Sequence, residues 1–482
     1  MKMLNLLLLL VPSCQAEATV PDSVLVLTGT AEVTGAADEF RLELAPGVGG
    51  RLLGGGPLGG ELVSDGARVW ERQWNNPVRE FQRVERETAL LQFAVLDGTW
   101  DDAGGPVELV ADGATMHLRW RGGSTLYALE TDPASGDPLQ VARTDEGGLQ
   151  GLRLEDWGEI GGVRVPRTIR RGTLDALHDV YRVTAVEHAP GIEFARPADP
   201  PRDWLLDAEV PATLEAKRAR TGHVLVHPAV DGADHGWFIF DSGAGAMCLD
   251  PDVAQALGAR QIGEVTAVGV AGRAAAEIYS TRSFTLGPLT LRDPIFVALD
   301  LDFIGAALGE KIVGIVGNEV FARTIVEFQA GETLRLALHD RDSFTLPTDA
   351  AWTEMLLDGN LPCVRARFEG EREGLFRLDT GAGGTMAFHA GAVKKWDLLG
   401  GRATQVSIAG GVGGMQAIRT GKIAWFELAG HRFEDLEVGF YTGAGGAFAD
   451  HDLDGNLGLD LLGEFRLIFD YRGSRMAFAA PE

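Results

Sequence analysis

Two aspartates of this chain sit in near-identical surroundings. Asp241 ends the apolar run Trp237-Phe-Ile-Phe and is followed by Ser242, Gly243 and Ala244. Asp379 ends Phe376-Arg-Leu and is followed by Thr380, Gly381 and Ala382, 138 residues later (379 − 241). One carboxylate cannot both deprotonate a water and protonate the product of its attack in the same geometry. Two carboxylates about 3 Å apart cannot both ionise, so one can serve as acid and the other as base. A lone Asp-Ser-Gly is an ordinary turn or helix cap. Pairing Asp241 with Asp379 needs a reason for the chain to bring them together.

That reason is an internal repeat. From each aspartate to a Gly-rich hairpin there are 28 residues in the first copy (269 − 241) and 31 in the second (410 − 379). From each aspartate to a later glycine there are 76 (317 − 241) and 79 (458 − 379). Both differences are three, so one small insertion before the hairpin accounts for them. Each copy also has a leading strand (Gly222 to Pro228, Leu361 to Phe368), an apolar-Gly segment (Ile315-Val-Gly317, Asn456-Leu-Gly458) and a closing strand (Thr324 to Phe328, Phe465 to Phe469). The leading strands match only loosely. In the first copy Asp250, Pro251 and Gly258 read as the cap, first turn and stop of a short helix. A two-fold repeat sets two equivalent loops face to face. The hydroxyls of Ser242 and Thr380 would then lock the opposing loop, and Gly243 and Gly381 would let the backbone approach the carboxylates and orient them with their amides. The hairpins, with Gly269 and Gly272 in one and Gly410, Gly411 and Gly413 in the other, would fold over an extended substrate as flaps and exclude water.

Asp-Ser-Gly-Ala and Asp-Thr-Gly-Ala, each followed by an apolar-Gly segment and a closing strand, resemble the motifs of retropepsin-like aspartic proteases. More narrowly, the chain is similar to exported bacterial proteins of the aspartyl protease family that carry two such modules in tandem, over roughly Arg202 to the C-terminus. The resemblance implies a β-barrel-like lobe per module and peptide-bond hydrolysis by a water held between Asp241 and Asp379, with no cofactor and no metal. Ser242 stands where threonine is usual and keeps the hydroxyl. Asn456 stands where an apolar residue is common. Ala244 and Ala382 offer no hydroxyl to the carboxylates, which predicts a pH optimum nearer neutral than strongly acidic.

The rest of the chain must position this site. Its 482 residues exceed one core, and 45% apolar content with 64 glycines and alternating strands predicts a mainly β protein. Residues 19–195 read as an antiparallel β domain, with Phe40 to Leu44, Met116 to Trp120 and Val180 to Val186 as half-buried strands. The stretch Leu154 to Pro166, following Leu126 to Leu139, resembles the strand-turn-strand of periplasmic lipoprotein-carrier domains. That would imply a curved sheet whose concave face Trp70, Trp74, Trp100, Trp120 and Trp157 could line, although ordinary core aromatics is the favoured reading. Residues 196–203 form a proline-rich linker, 204–340 the first protease-like lobe and 341–482 the second.

Residues 1–18 read as an export signal, with Lys2 ahead of the apolar run Leu4 to Val11, well short of the roughly 20 residues of a membrane span. Either Cys14 is lipidated, tethering the protein to a membrane, or cleavage falls near Ala16 or Ala18. Both place it outside the cytoplasm, in a bacterial periplasm. Cys248 and Cys363 are favoured as semi-buried thiols. The net charge of −26 excludes a nucleic-acid footprint. Asp450-His-Asp-Leu-Asp-Gly455 imitates the start of a calcium loop, but Leu461 stands where glutamate is required, so a surface turn is favoured. The expected partner is a polypeptide substrate, and the expected state a monomer whose two lobes pair internally. Pairing of each module with its twin in another chain, a non-catalytic peptide- or lipid-binding role, and an N-terminal sheet that carries an apolar ligand remain as alternatives.

Overall fold

The computed structural model describes residues 21–74, 76–113, 115–143, 150–173, 176–270 and 272–481, so the expected leader and Cys14 lie outside it. The fold is mainly β. Among the described residues no helix is long and apolar enough to cross a membrane.

The first region is one thirteen-stranded antiparallel sheet. The chain steps outward from Val24–Val33 through neighbouring strands to an edge at Arg79–Glu80, crosses in the helix Arg83–Leu96, and restarts at the opposite edge with Val107–Asp112. It then steps back until Ala176–Ala189 pairs with Val24–Val33. The strands expected around Phe40, Met116 and Val180 form as Ala36–Ala45, Thr115–Trp120 and Ala176–Ala189. Gln150–Ile160 and Val163–Thr173 turn tightly at Gly161-Gly162, whose φ of 62° and 83° call for glycine at both central positions.

The helix Arg83–Leu96 was not foreseen from the sequence. Its residues Thr88 to Val95 are all buried, so it carries no apolar stripe to betray it. It packs Leu90, Leu91 and Phe93 against Phe40, Leu42, Leu118 and Tyr127 of the sheet. Trp100, Trp120 and Trp157 are half-buried against the same core. Trp70 belongs to a separate small core with Phe194, and Trp74 packs on Leu58, Ile278 and Ile295. The five tryptophans therefore line no common face.

Two eight-stranded sheets follow, and they match strand for strand. In the first, which we term the first unit, the central strand Trp237–Phe240 lies parallel to Ile312–Val316, which lies antiparallel to Cys248–Leu249. In the second unit Arg372–Leu378 lies parallel to Gly455–Leu457, which lies antiparallel to Met386–Phe388. The leading strands, Val224–Val226 and Leu361–Phe368, occupy the same place in each order. The helix Pro251–Leu257 forms as expected, with Asp250 accepting from the amides of Asp252 and Val253 and Gly258 in the left-handed region. Cys248 and Cys363 are buried and unbonded to each other.

A five-stranded sheet joins the units. Ile325–Ala330, which closes the first, pairs antiparallel with Arg466–Asp470, which closes the second. At its centre the buried Glu327 accepts from Arg466 at 2.9 Å and meets Arg335 at 2.6 Å and His339 at 2.9 Å.

The stretch from Asp450 to Gly455 is not the solvated surface turn expected of it. Arg143 of the N-terminal sheet grips the Asp452 carboxylate with two bonds of 2.7 and 2.8 Å. Asp454 accepts from the amide of Leu375 at 2.8 Å. Asp450 lies beside Arg377 and Asp358, and burial pushes its carboxyl up to about 7. The acidic pattern braces two regions against each other, a use that spacing alone could not disclose.

Candidate active site

Each site aspartate is placed by the end of a central strand. Phe238 and Phe240 are fully buried, which fixes the strand Trp237–Phe240 in its sheet, and the amide of Asp241 then bonds Val316 O at 3.0 Å. In the second unit Phe376 and Leu378 are fully buried and the amide of Asp379 bonds Leu457 O at 3.0 Å. The loops turn identically beyond this point. Gly243 N donates to Asp241 Oδ1 at 2.7 Å, and Gly381 N donates to Asp379 Oδ1 at 3.0 Å.

The two loops lock into each other through four buried hydrogen bonds. Ser242 N donates to Thr380 Oγ1 (2.9 Å), and Thr380 N donates to Ser242 Oγ (3.1 Å). Ser242 Oγ donates to Leu378 O (2.8 Å), and Thr380 Oγ1 donates to Phe240 O (3.0 Å). Each hydroxyl thus uses its one proton and one lone pair, and four buried backbone groups are satisfied.

This lock forces the carboxylates together. A Cβ on Gly243 would lie 2.5 Å from Asp379 Cγ, and one on Gly381 would lie 2.2 Å from Asp241 Cγ. Only glycine leaves room for the opposing carboxyl. Asp241 and Asp379 are in hydrogen-bonding reach of each other, and burial followed by the facing Asp379 charge holds Asp241 well above the usual carboxylate range. The segments behind the loops are equally paired. A Cβ on Gly317 would meet Ala246 O at 2.5 Å, and one on Gly458 would meet Gly384 O at 2.6 Å.

Residues 226–320 match a family model described as an aspartyl protease. The chain therefore carries an aspartyl protease-like region that includes Asp241, Ser242, Gly243, Gly269, Gly272 and Gly317; Asp379 lies outside the match. No curated protein matches the chain. Among solved structures, basic 7S globulin from soybean is similar at 12% identity and a TM-score of 0.34, over 58% of this chain and 96% of that one.

The expected flap glycines lie at the tips of two hairpins. Arg260–Gly269 and Gly272–Ser280 carry Gly269 and Gly272; Thr404–Gly411 and Gly414–Leu428 carry Gly410, Gly411 and, in the turn, Gly413. The structure brings the tips against each other: a Cβ on Gly269 would strike Val412 O at 2.1 Å, and one on Gly411 would lie 2.9 Å from Val270 Cγ2. Exposed Ile408 and Met415 and the half-exposed Phe303 lie around the second tip.

Three residues at the site carried no sequence signal. His223 Nε2 lies 2.9 Å from Gly381 O, so Nε2 bears the proton and the carbonyl accepts. Asn360 Nδ2 donates to Gly245 O at 3.4 Å in the mirrored direction. Each sits just before the leading strand of its own unit and reaches the loop of the other. Tyr471 lies under the loops, its hydroxyl 3.5 Å from Ser242 O. Asn456 Nδ2 donates to Asp379 Oδ2 at 2.9 Å. Ala382 has no hydroxyl to offer, as the sequence shows, and Asn456 supplies Asp379 with a side-chain donor from another element. Among the described residues no group of three or more His, Cys, Asp or Glu side chains is arranged to hold a metal ion.

Proposed function

We propose that the chain is an aspartic endopeptidase in which Asp241 and Asp379, one from each of two tandem lobes, share a proton and activate a water. The observation that carries this reading is the reciprocal fit of Gly243 under Asp379 and Gly381 under Asp241. Two carboxyls so close, one held above its usual range, form a pair of which one member is acid and the other base at one pH. The base takes a proton from water as the water oxygen bonds the peptide carbonyl carbon, and the acid gives its proton to the carbonyl oxygen. The resulting diol then collapses. The C–N bond breaks, the proton taken from water passes to the leaving nitrogen, and a diol hydroxyl returns a proton to the acid. The meeting hairpins would cover an extended polypeptide and shield this exchange from bulk water. The two aspartates belong to one chain whose units are joined through the shared sheet, which supports an active monomer.

The test compares wild type with Asp241→Asn and Asp379→Asn on a denatured protein substrate, with and without a statine-type inhibitor, with the mass measured by sedimentation. Loss in either single variant of a monomeric protein is expected. Equal activity in all three proteins would end the peptidase reading. Lys2, Leu4 to Val11 and Cys14 support export to the periplasm with a lipid anchor; Cys14→Ala should abolish incorporation of labelled palmitate, and unaltered labelling would refute the anchor.

A further inference from the structure

The two units are not equivalent at the position that faces the pair. Register makes Asn456 the counterpart of Ile315: Ile315 pairs with Ile239 and Cys248, and Asn456 pairs with Arg377 and Ala387, at the same places in the two sheet orders. Both side chains are buried, at 5% and 2% exposure. The aliphatic Ile315 gives Asp241 nothing to accept from. Asn456 gives Asp379 an amide donor at 2.9 Å, while its own Oδ1 is buried with no partner. A buried polar side chain with half its bonds unmade is costly to keep. The half it does make is directed at one carboxylate oxygen.

We infer that Asn456 is the positioning residue that assigns the shared proton: its amide fixes Asp379 as the ionised base, and Asp241, opposite Ile315, carries the proton as the acid. This deepens the peptidase reading and rests on it for its catalytic meaning. A hydrogen bond to the charged form of a carboxylate favours that form, so the Asn456 amide holds the negative charge of the pair on Asp379. The neighbouring groups do not reverse this. His223 bonds the carbonyl of Gly381 and, in its cationic form, would add charge favourable to an ionised Asp379, but burial lowers its pKa. Tyr471, beneath both carboxylates, is held well above the usual phenol range by burial and by Asp241 and Asp379 and stays neutral. The thiol of Cys248, beside Asp241, is pushed up by burial and stays protonated. In the assigned scheme the water proton goes to Asp379 and the carbonyl oxygen receives the proton of Asp241; on collapse Asp379 protonates the leaving nitrogen and Asp241 is reprotonated by the diol.

The test is a titration of the carboxyl carbons by NMR on ¹³C-Asp-labelled full chain, without substrate, alongside the pH profile of kcat/KM. The pair titrates in two macroscopic steps. In Asn456→Leu the lower step should rise by about one to two pH units, and the acid limb of the rate profile should follow it. An unmoved lower step overturns the assignment. A fall in that step also overturns it, because it would mean that Asn456 Oδ1 accepts from a protonated Asp379. The isosteric single variants give a second reading that does not need Asn456→Leu to fold. Asp379 alone in Asp241→Asn should titrate at least about one unit below Asp241 alone in Asp379→Asn, and the opposite order overturns the inference. An inactive chain that shows these shifts would refute the peptidase reading and keep this one. An active chain that lacks them would do the reverse.

Discussion

The eight-stranded sheets of the first and second units share one strand order and differ in how their outer strands and hairpins are built. In the first unit the outer strands are broken. Gly272–Ser280 and Ser283–Leu286 are separate, as are Leu289–Arg292 and Ile295–Ala298, with Pro294 at the second break. In the second unit Gly414–Leu428 and His431–Phe440 run through. Proline has no amide for the ladder, so the first unit must interrupt its strand there. The hairpins differ too. The first is buttressed by the N-terminal sheet: Glu264 N donates to Thr34 O at 2.7 Å, and a Cβ on Gly263 would strike Leu58 Cδ1 at 2.4 Å. The second hairpin has its outer strand, Thr404–Gly411, at the edge of its sheet. A repeated framework can thus fix where two carboxylates meet while leaving the donor at Asp379, and the freedom of each hairpin, to be set unit by unit.

The sharpest way to break the comparison is at the aspartates. If the units contribute equally to one site, Asp241→Asn and Asp379→Asn should each lower kcat by about 10³-fold or more. A large loss in only one of them, measured on purified monomer, would mean that one unit works alone. The next effect is on stability. Thr380→Val strands Ser242 N and Phe240 O, and Ser242→Ala strands Thr380 N and Leu378 O. Each should cost about 2–6 kcal/mol in denaturant unfolding, since buried unpaired groups cost about 1–3 kcal/mol apiece, and the two values should agree within about 1 kcal/mol. A lopsided result would show that the loops do not share the lock evenly.

A third difference concerns pH. Both the Asp450 carboxyl and that of Glu85, at the seam between the N-terminal sheet and the second unit, are pushed up to about 7 by burial. An acid whose folded pKa lies above its unfolded value binds more protons in the folded state, so stability falls as pH rises between roughly 4 and 7. Asp450→Asn removes one such group. Its melting temperature should change less from pH 5 to pH 8 than that of wild type, and it should gain on the order of 2 kcal/mol at pH 8 relative to pH 5. Parallel pH curves for the two proteins would refute the claim that this carboxyl is strained. The smallest effect is kinetic: the amide of Glu264 should exchange with deuterium about tenfold more slowly than those of Gln405 and Val406 on the outer strand of the second hairpin. Equal rates would remove the distinction between a held hairpin and a free one.

Much of the site could be read from the sequence because its chemistry uses contiguous residues. Asp-Ser-Gly and Asp-Thr-Gly specify a strand end, a cross-lock and a close approach in three positions each, and the matched spacing to Gly317 and Gly458 tied them into one plan. The helix Pro251–Leu257 was legible for the same reason, since Asp250, Pro251 and Gly258 act on their neighbours. What escaped notice acts across distance. His223 and Asn360 look like ordinary turn residues until the opposing loop is in place. Asn456 registered only as a polar residue at an apolar position, because its partner is 77 residues away (456 − 379). Asp452 depends on Arg143, 309 positions distant. The helix Arg83–Leu96 was hidden by the opposite excess, burial on every side.

The shared five-stranded sheet has a consequence for how the chain can be made. The units are held by Val326 to Gln329 against Arg466 to Phe469 and by Glu327 among Arg335, His339 and Arg466. Between them, residues 340–351 carry no strand or helix. The peptide link there is a convenience of synthesis. Two fragments divided within it and produced together should find each other and co-purify as a stable heterodimer, whereas a cut inside Ile325–Ala330 should leave both pieces insoluble.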